Sequence, residues 1–319
     1  MRRVAGLAEA PRPLTMYFIK RLAFAIPLLL VISLITFALV RAAPGGPFDR
    51  ERQPASPEIE KNLKAKYHLD EPFWKQYARY VGDLVRGDLG PSLKYRNHGV
   101  NDIIAQALPV SALLGCLAFG FALGVGLPLG FFTAVRRGSW EDYAGSFLAL
   151  LAVCVPGLVV APLLIVTFAV KWHLLPVALW ESPLHAVLPT IALGLFFSGK
   201  IARLMREGML NTMNLEFITA ARAKGLGENA LMFRHAFRLA VLPVVSYAGP
   251  LLADLLTGSF VVENIFQIPG IGVFFVNSMS NRDHTMTVGL VLLYAVLLIG
   301  LNLVVDFAYM LLDPRVKYE

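Results

Sequence analysis

The sequence predicts an all-α polytopic membrane protein with six transmembrane helices and both ends of the chain in the cytoplasm. Three observations predict it. Of 319 residues, 56% are hydrophobic and only 16% are Asp, Glu, Lys or Arg, where soluble domains carry about a quarter; mean hydropathy is +0.61. The apolar residues come in six long runs, and about 20 consecutive apolar residues cross a bilayer as a helix. Basic residues are dense in alternate segments between those runs. A disordered chain is excluded, because disorder needs low hydrophobicity and high charge. The net charge of +7 would suggest nucleic acid in a soluble protein. Here the basic residues flank apolar runs, where they set orientation.

The runs fall at residues 17–40, 103–135, 143–170, 184–205, 239–262 and 287–312. They divide the chain into a tail (1–16), a first span (17–40), a long loop with short helices (41–102), a five-helix core (103–312) and a closing tail (313–319). The first run follows Arg2, Arg3, Arg12, Lys20 and Arg21 and is too long for the apolar region of a signal peptide. Pro44 follows Ala42-Ala43 where cleavage would fall, so a retained span is predicted. The second run exceeds what a bilayer needs, so it tilts, kinks or projects, and Pro128 is a kink site. Its Gly120-x-x-x-Gly124 and Gly126-x-x-x-Gly130 spacings let helices approach closely in lipid. Cys116 and Cys154 lie in apolar runs and read as small core residues.

Charge orients the spans. Lys and Arg number five in residues 1–21, two at Arg136-Arg137, seven across 200–238 and two after 312. The short segments on the other side hold Lys171 and Arg282. The 41–102 loop counts little, because long loops cross largely regardless of charge. Its turn signals are 44–47 and 87–91. Between them 56–67 is charged at helical spacing, and Trp74, Tyr77, Tyr80, Val81 and Leu84 recur as one face of a helix. That helix is either an external docking surface or a cap resting on the membrane.

The cytoplasmic stretch 200–238 is the most informative. Asn214 is placed to cap a short helix, 215–224, through its side-chain oxygen. Gly225-Leu226-Gly227 ends it. A second helix opens at Glu228, whose acid suits a helix N-terminus, and runs through Arg234, His235 and Arg238 into the fifth run. Ala220, Ala221 and Ala223 keep the first helix slim enough for a groove. It reads either as a docking element or as an interfacial helix anchored by basic residues. Between the last two runs, 267–275 is apolar yet rich in turn formers, which suggests a re-entrant or interfacial external segment.

Other motifs fail. Gly194 to Lys200 mimics a phosphate loop but lacks the final Ser or Thr and sits in an apolar helix, so no ATP site is predicted in this chain. The six histidines are scattered, with no zinc-binding spacing, and no G-x-S-x-G elbow is present. Two acids lie inside apolar runs, Asp254 and Asp306, and intramembrane acids are functional candidates by default. Asp306 is near the cytoplasmic end, where Arg315 is a ready partner. Asp254 is the pathway candidate, with Thr257, Ser259 or another helix as possible bonding partners.

These residues also carry a resemblance. Glu216 through Gly225, followed by Arg234-His235-Ala236 and Leu242-Pro243, resembles the cytoplasmic "EAA" motif of ABC importer permeases. In the same order come Arg41-Ala42-Ala43-Pro44-Gly45-Gly46-Pro47, Leu69-Asp70-Glu71-Pro72, Gly87-Asp88-Leu89-Gly90, Pro269-Gly270-Ile271-Gly272, Asn281-Arg282-Asp283 and Asp313-Pro314-Arg315. From about Met16 onward the chain is similar to the dipeptide/oligopeptide branch, most of all to the first permease subunit of an oligopeptide importer. The resemblance implies a type I importer permease in the bacterial inner membrane, non-catalytic and holding no cofactor. Implied partners are a second homologous permease, two cytoplasmic ATPases carrying ATP and magnesium, an extracytoplasmic binding protein and a peptide substrate. Glu216, Thr219, Ala220, Ala221, Arg222, Lys224 and Gly225, within a segment 212–235, would couple to the ATPases. The general motif opens Glu-Ala-Ala where this chain has Thr219-Ala220-Ala221, which leaves Arg222 and Lys224 to supply charge contacts. Competing readings are the same family with other cargo (dipeptide, nickel chelate, glutathione or oligosaccharide), a self-sufficient carrier driven by protons through Asp254, and a membrane enzyme, which lacks a catalytic constellation.

Overall fold

The computed structural model describes residues 14–42, 70–95 and 98–312. The turn at 44–47, the charged stretch 56–67 and the tail with Arg315 lie outside them. Among the described residues the chain is helical, without a strand; one isolated bridge joins Pro91 and Gly99. Five stretches are long and apolar enough to cross a bilayer: Arg21–Ala42, Val100–Val135, Pro183–Met213, Leu242–Ile265 and His284–Ala308.

The remaining apolar run, 143–170, is not the single helix its composition suggests. It is two helices, α4 (Trp140–Cys154) and α5 (Gly157–Leu164), the second prolonged by a π turn (Ile165–Lys171). They meet at 102°. Pro156 is the cause: its ring keeps the preceding residue out of the helical region, and Val155 is extended at φ −83°, ψ 117°.

The other elements follow the runs. Helix α1 is Leu14–Ala42, α2 is Phe73–Val85 in the external loop, and α3 is Val100–Val135. Helix α3 has 36 residues and is about 54 Å long at 1.5 Å per residue; Pro128 lies inside it without ending it. After a 3-10 turn, α6 spans Val187–Met213. Cytoplasmic α7 is Glu216–Ala223. Helix α8 (Glu228–Ala230) continues through a π turn (Leu231–Ala236) and a last helical turn (Phe237–Ala240). Helix α9 is Leu242–Leu256, α10 is Phe260–Ile265, α11 is Ile271–Ser280 and α12 is His284–Leu312. The external stretch between the last two spans thus holds α11, whose ten residues are too few to cross.

The centre is the contact of α3 with α6, made backbone to backbone. A Cβ on Gly126 would lie 2.6 Å from the Ser198 carbonyl oxygen and 2.8 Å from Ile201 Cβ. One on Gly130 would press into the Ala202 carbonyl, and one on Gly194 would lie 2.8 Å from the Ala118 oxygen. Gly120 and Gly124 behave differently: among the described residues nothing lies within 4 Å of a Cβ on either. Ala118, Ala122, Ile201, Met205 and Met209 fill the same core, which runs on into Ile218, Leu231 and Ala236 of the cytoplasmic segment. The membrane core and the cytoplasmic helices are therefore one packed body.

Charges tie the rim to this core. Asp142, in the first turn of α4, is 6% exposed in its side chain and receives Arg206 of α6 in a two-pronged pair, with Nε on Oδ1 and Nη2 on Oδ2, both at 2.9 Å. Gly138 N donates to Oδ2 at 3.0 Å and Ser146 Oγ to Oδ1 at 3.2 Å. Asp306 pairs with Arg21 of α1; the Arg315 suggested by sequence as its partner lies outside the described residues. On the outer side Phe37 of α1 packs edge-on against Phe73 and Tyr77 of α2, with centroids 5.5 and 5.7 Å apart. Helix α2 is thus docked on α1 while Trp74 stays exposed. Asp283, 1% exposed, takes Ser92 Oγ at 2.5 Å and Leu93 N at 3.1 Å, pinning the end of the external loop to the last span.

Two outcomes test this packing by thermal unfolding of the purified chain in mild detergent. Gly130→Val is expected to destabilise by about 1–3 kcal/mol or more through overpacking, and Gly120→Val by much less. Equal losses would contradict the α3–α6 contact. Asp142→Asn is expected to cost about 2 kcal/mol, below the ~3–5 of a fully buried pair because Arg206 keeps water contact. No loss would mean the pair is not holding α4.

Candidate functional site

The cytoplasmic segment is built by backbone chemistry. Asn214 does not cap α7 as its residue type suggests. Its side-chain Nδ2 donates back to Leu210 O at 3.0 Å, closing α6. Leu215, extended at φ −76°, ψ 146°, takes the N-cap position with no side-chain cap; its carbonyl accepts from Ile218 N at 3.0 Å and Thr219 N at 3.3 Å. Asn214 misses the role because it still has helical backbone angles (φ −89°, ψ −1°), whereas a capping residue is extended.

The far end of α7 is a Schellman closure. Leu226 N donates to Ala221 O at 3.4 Å and Gly225 N to Arg222 O at 3.0 Å. This 6→1 and 5→2 pattern needs a left-handed residue after the cap, and Gly225 is at φ +85°. Ala221 and Leu226, the two residues that such a motif brings together, both pack on the central core.

The helix between these ends has one inner face and one outer. Ile218 is fully buried and Ala221 half-buried. Glu216, Thr219, Ala220, Arg222, Ala223, Lys224 and Gly225 are exposed, as are the apolar Leu215 and Phe217. The surface therefore combines small residues, two large apolar side chains and a free-standing lysine. Six of the seven sequence-predicted coupling residues lie on it, and Ala221 turns inward.

Arg222 is engaged within the chain. Its Nε donates to Glu228 Oε1 at 2.6 Å and its Nη2 to Oε2 at 3.2 Å. The clasp joins the end of α7 to the start of α8 across the Gly225 turn. Hydrogen bonds from Arg222 hold the Glu228 carboxyl below the usual carboxylate range, and Glu228 holds the guanidinium pKa up. A depressed acid stabilises above its unfolded pKa, and that stabilisation is lost as pH falls through the folded value. The clasp therefore opens under acid, and Lys224 is left as the outward cation of the pair that sequence assigned to charge contacts.

Asp254 is on α9 at membrane depth and exposed. Thr257 Oγ1 donates to the Asp254 and Ala253 carbonyl oxygens, at 2.9 and 3.2 Å, and not to the carboxylate. The structure therefore does not gather Asp254 with the cytoplasmic residues.

Sequence reasoning missed three polar anchors, Asp142–Arg206, Asp283 and Glu263. Glu263 is fully buried. It takes Ser111 Oγ of α3 at 2.7 Å and Gly272 N at 2.9 Å, while Ser111 Oγ accepts from Ile271 N at 2.8 Å. A Cβ on Gly272 would meet its carboxylate at 3.0 Å. The signal was present: an acid at the end of an apolar run, just before Pro269-Gly270-Ile271-Gly272.

Comparison with known proteins gives one answer. Residues 126–318 match the profile of the binding-protein-dependent transport system inner membrane component, and residues 14–112 match the N-terminal profile of such membrane components. The oligopeptide transport system permease protein OppB of Haemophilus influenzae is 40% identical over 95% of this chain and 99% of its own length. The dipeptide transport system permease protein DppB of Bacillus subtilis is 44% identical over 94% of this chain and 97% of its own. The fold is similar to a chain of the inward-facing MetNI methionine ABC transporter, with a TM-score of 0.54 and 16% identity over 66% of this chain and 96% of that one.

The turn can be tested alone. Gly225→Val puts a β-branched residue where φ is positive, a backbone state that costs L-residues about 1–2 kcal/mol or more. Faster tryptic cleavage at Arg222 and Lys224 is expected, with the membrane core melting as before. Unchanged cleavage would mean the turn does not need glycine.

Proposed function

The chain belongs to the family of binding-protein-dependent transport system inner membrane components, and from that premise we propose that it is the permease subunit of an ATP-driven importer of short peptides. The observation that carries the coupling is the outer face of α7. A slim helix with exposed Leu215 and Phe217 is closed by the Gly225 turn and packed through Ile218 into the membrane core. A load applied to that face moves the spans with it.

In this reading two cytoplasmic ATPases receive α7 and its counterpart on a second, homologous permease. They bind ATP and magnesium; this chain binds neither and is not itself an enzyme. Thr219, Ala220 and Ala223 fit the ATPase surface closely, Lys224 and Glu216 meet it by charge, and the Arg222–Glu228 clasp keeps the helix at a fixed angle. An extracytoplasmic binding protein delivers peptide to the outer face in the bacterial inner membrane. ATP binding shifts the spans between outward- and inward-open states, and each ligand moves that balance only by its differential affinity for the two. The relatives named for dipeptide and for oligopeptide transport are similarly distant, so the cargo is taken as short peptides as a class.

The test is uptake of labelled tri- to pentapeptides by proteoliposomes holding the assembly purified through a tag on this chain, with binding protein added. Uptake is expected to need internal-face ATP and to survive collapse of the proton gradient. Gly225→Val is expected to lower uptake about tenfold, the change that a loss of ~1.4 kcal/mol of coupling produces, while basal ATP hydrolysis persists. Uptake by the chain alone, abolished with the proton gradient and by Asp254→Asn, would instead establish the carrier reading.

A further inference from the structure

Two opposite charges stand at mid-membrane on neighbouring spans. Lys200 lies within Pro183–Met213 and Asp254 within Leu242–Ile265. At 1.5 Å per residue each is about 18–20 Å from the cytoplasmic end of its helix. Lys200 Nζ lies 4.6 Å from the Phe196 ring centroid and 5.8 Å from that of Tyr247. Tyr247 and Asp254 are seven residues apart on α9 and so share one face. Ser246, Pro250 and Asp254 are exposed along that face. Lys200, Tyr247 and Tyr294 of α12 all lie within electrostatic reach of Asp254.

The two charges do not close on each other. Among the described residues neither takes part in a salt bridge, although this chain closes Asp142 on Arg206 at the rim and Asp306 on Arg21 between spans. A charge facing lipid is costly, so such groups face a bundle interior or a water-filled cavity. A purely structural pair would be driven together to offset desolvation. Here the ammonium rests on aromatic faces, a favourable cation–π placement, and the carboxylate is left open. The arrangement offers a cationic contact resting on two aromatic rings and an anionic contact on the face of α9 that carries one of those rings.

We propose that Lys200 and Asp254 form a bipolar transit subsite that receives the charged side chains of a passing peptide, carboxylates at Lys200 and ammonium groups at Asp254. The proposal rests on the peptide-importer reading and adds to it a charge-selective step inside the membrane. Tyr247 and Phe196 supply the floor along which the peptide backbone slides.

The experiment uses the complete assembly in proteoliposomes with two labelled tripeptides, both with free termini, one carrying a central Lys and the other a central Glu. Asp254→Asn is expected to depress uptake of the Lys peptide selectively, moving the Lys/Glu uptake ratio by about tenfold, which equals ~1.4 kcal/mol of differential interaction. Lys200→Met is expected to move the ratio the opposite way, and Asp254→Glu to restore it. A ratio unchanged in both variants overturns the proposal, whether total uptake falls, as a structural role requires, or stays level. If the wild-type assembly hydrolyses ATP in response to its binding protein yet takes up neither peptide, the peptide reading fails first and the subsite loses its ligand with it.

Discussion

The fold depends on the absence of side chains at the α3–α6 contact. Lipid offers no hydrophobic drive between helices, because acyl chains are as apolar as leucine, so spans are held by close van der Waals approach. Gly126 and Gly130 on α3 and Gly194 on α6 lack the Cβ atoms that would press on the facing backbone. Met205 and Met209 then fill the remaining volume with flexible side chains. The same cluster continues into Ile218 and Leu231. The cytoplasmic helix is therefore an extension of the intramembrane core, and a push on one is felt by the other.

Around that contact the chain handles its intramembrane charge in two ways. Three acids at the rim or within the spans are closed. Asp142 takes Arg206, Asp306 takes Arg21, and Glu263 is satisfied by Ser111 and the backbone amide of Gly272. Each closure also joins elements distant in sequence: α4 to α6, α12 to α1, and α10 and α11 to α3. Lys200 and Asp254 remain open beside the aromatic rings of Phe196 and Tyr247. Closed pairs locate helices, and the two open charges are those proposed to meet cargo.

The sequence discloses the parts of this that follow from composition and local backbone rules. The six apolar runs, the Gly225 turn and the helix opening at Glu228 are all visible, because hydropathy, positive φ and helix-terminal charge act over a few residues. Long-range partner choice is not visible. Asp306 pairs with Arg21, nearly the whole chain away. Arg222 turns to Glu228 once the glycine turn brings it within reach. Asn214 closes the helix before it, because its backbone is still helical. The break at Val155-Pro156 could have been read from proline chemistry alone, but it was hidden by the unbroken hydrophobicity on either side. The function was legible chiefly through motif order along the chain, with Asp254 visible as an unusual acid and its counterpart Lys200 concealed inside a false phosphate-loop pattern.

In the proposed mechanism the outer face of α7 transmits ATPase motion to the spans. The most direct measurement places a photo-crosslinker on Ala220→Cys, in a background where Cys116 and Cys154 are replaced by alanine, and identifies the crosslinked chain by mass spectrometry in native membranes. The expected result is a crosslink to an ATP-binding subunit whose yield changes when ATP is trapped. Crosslinks to lipid alone, with the assembly intact and transporting, would contradict it.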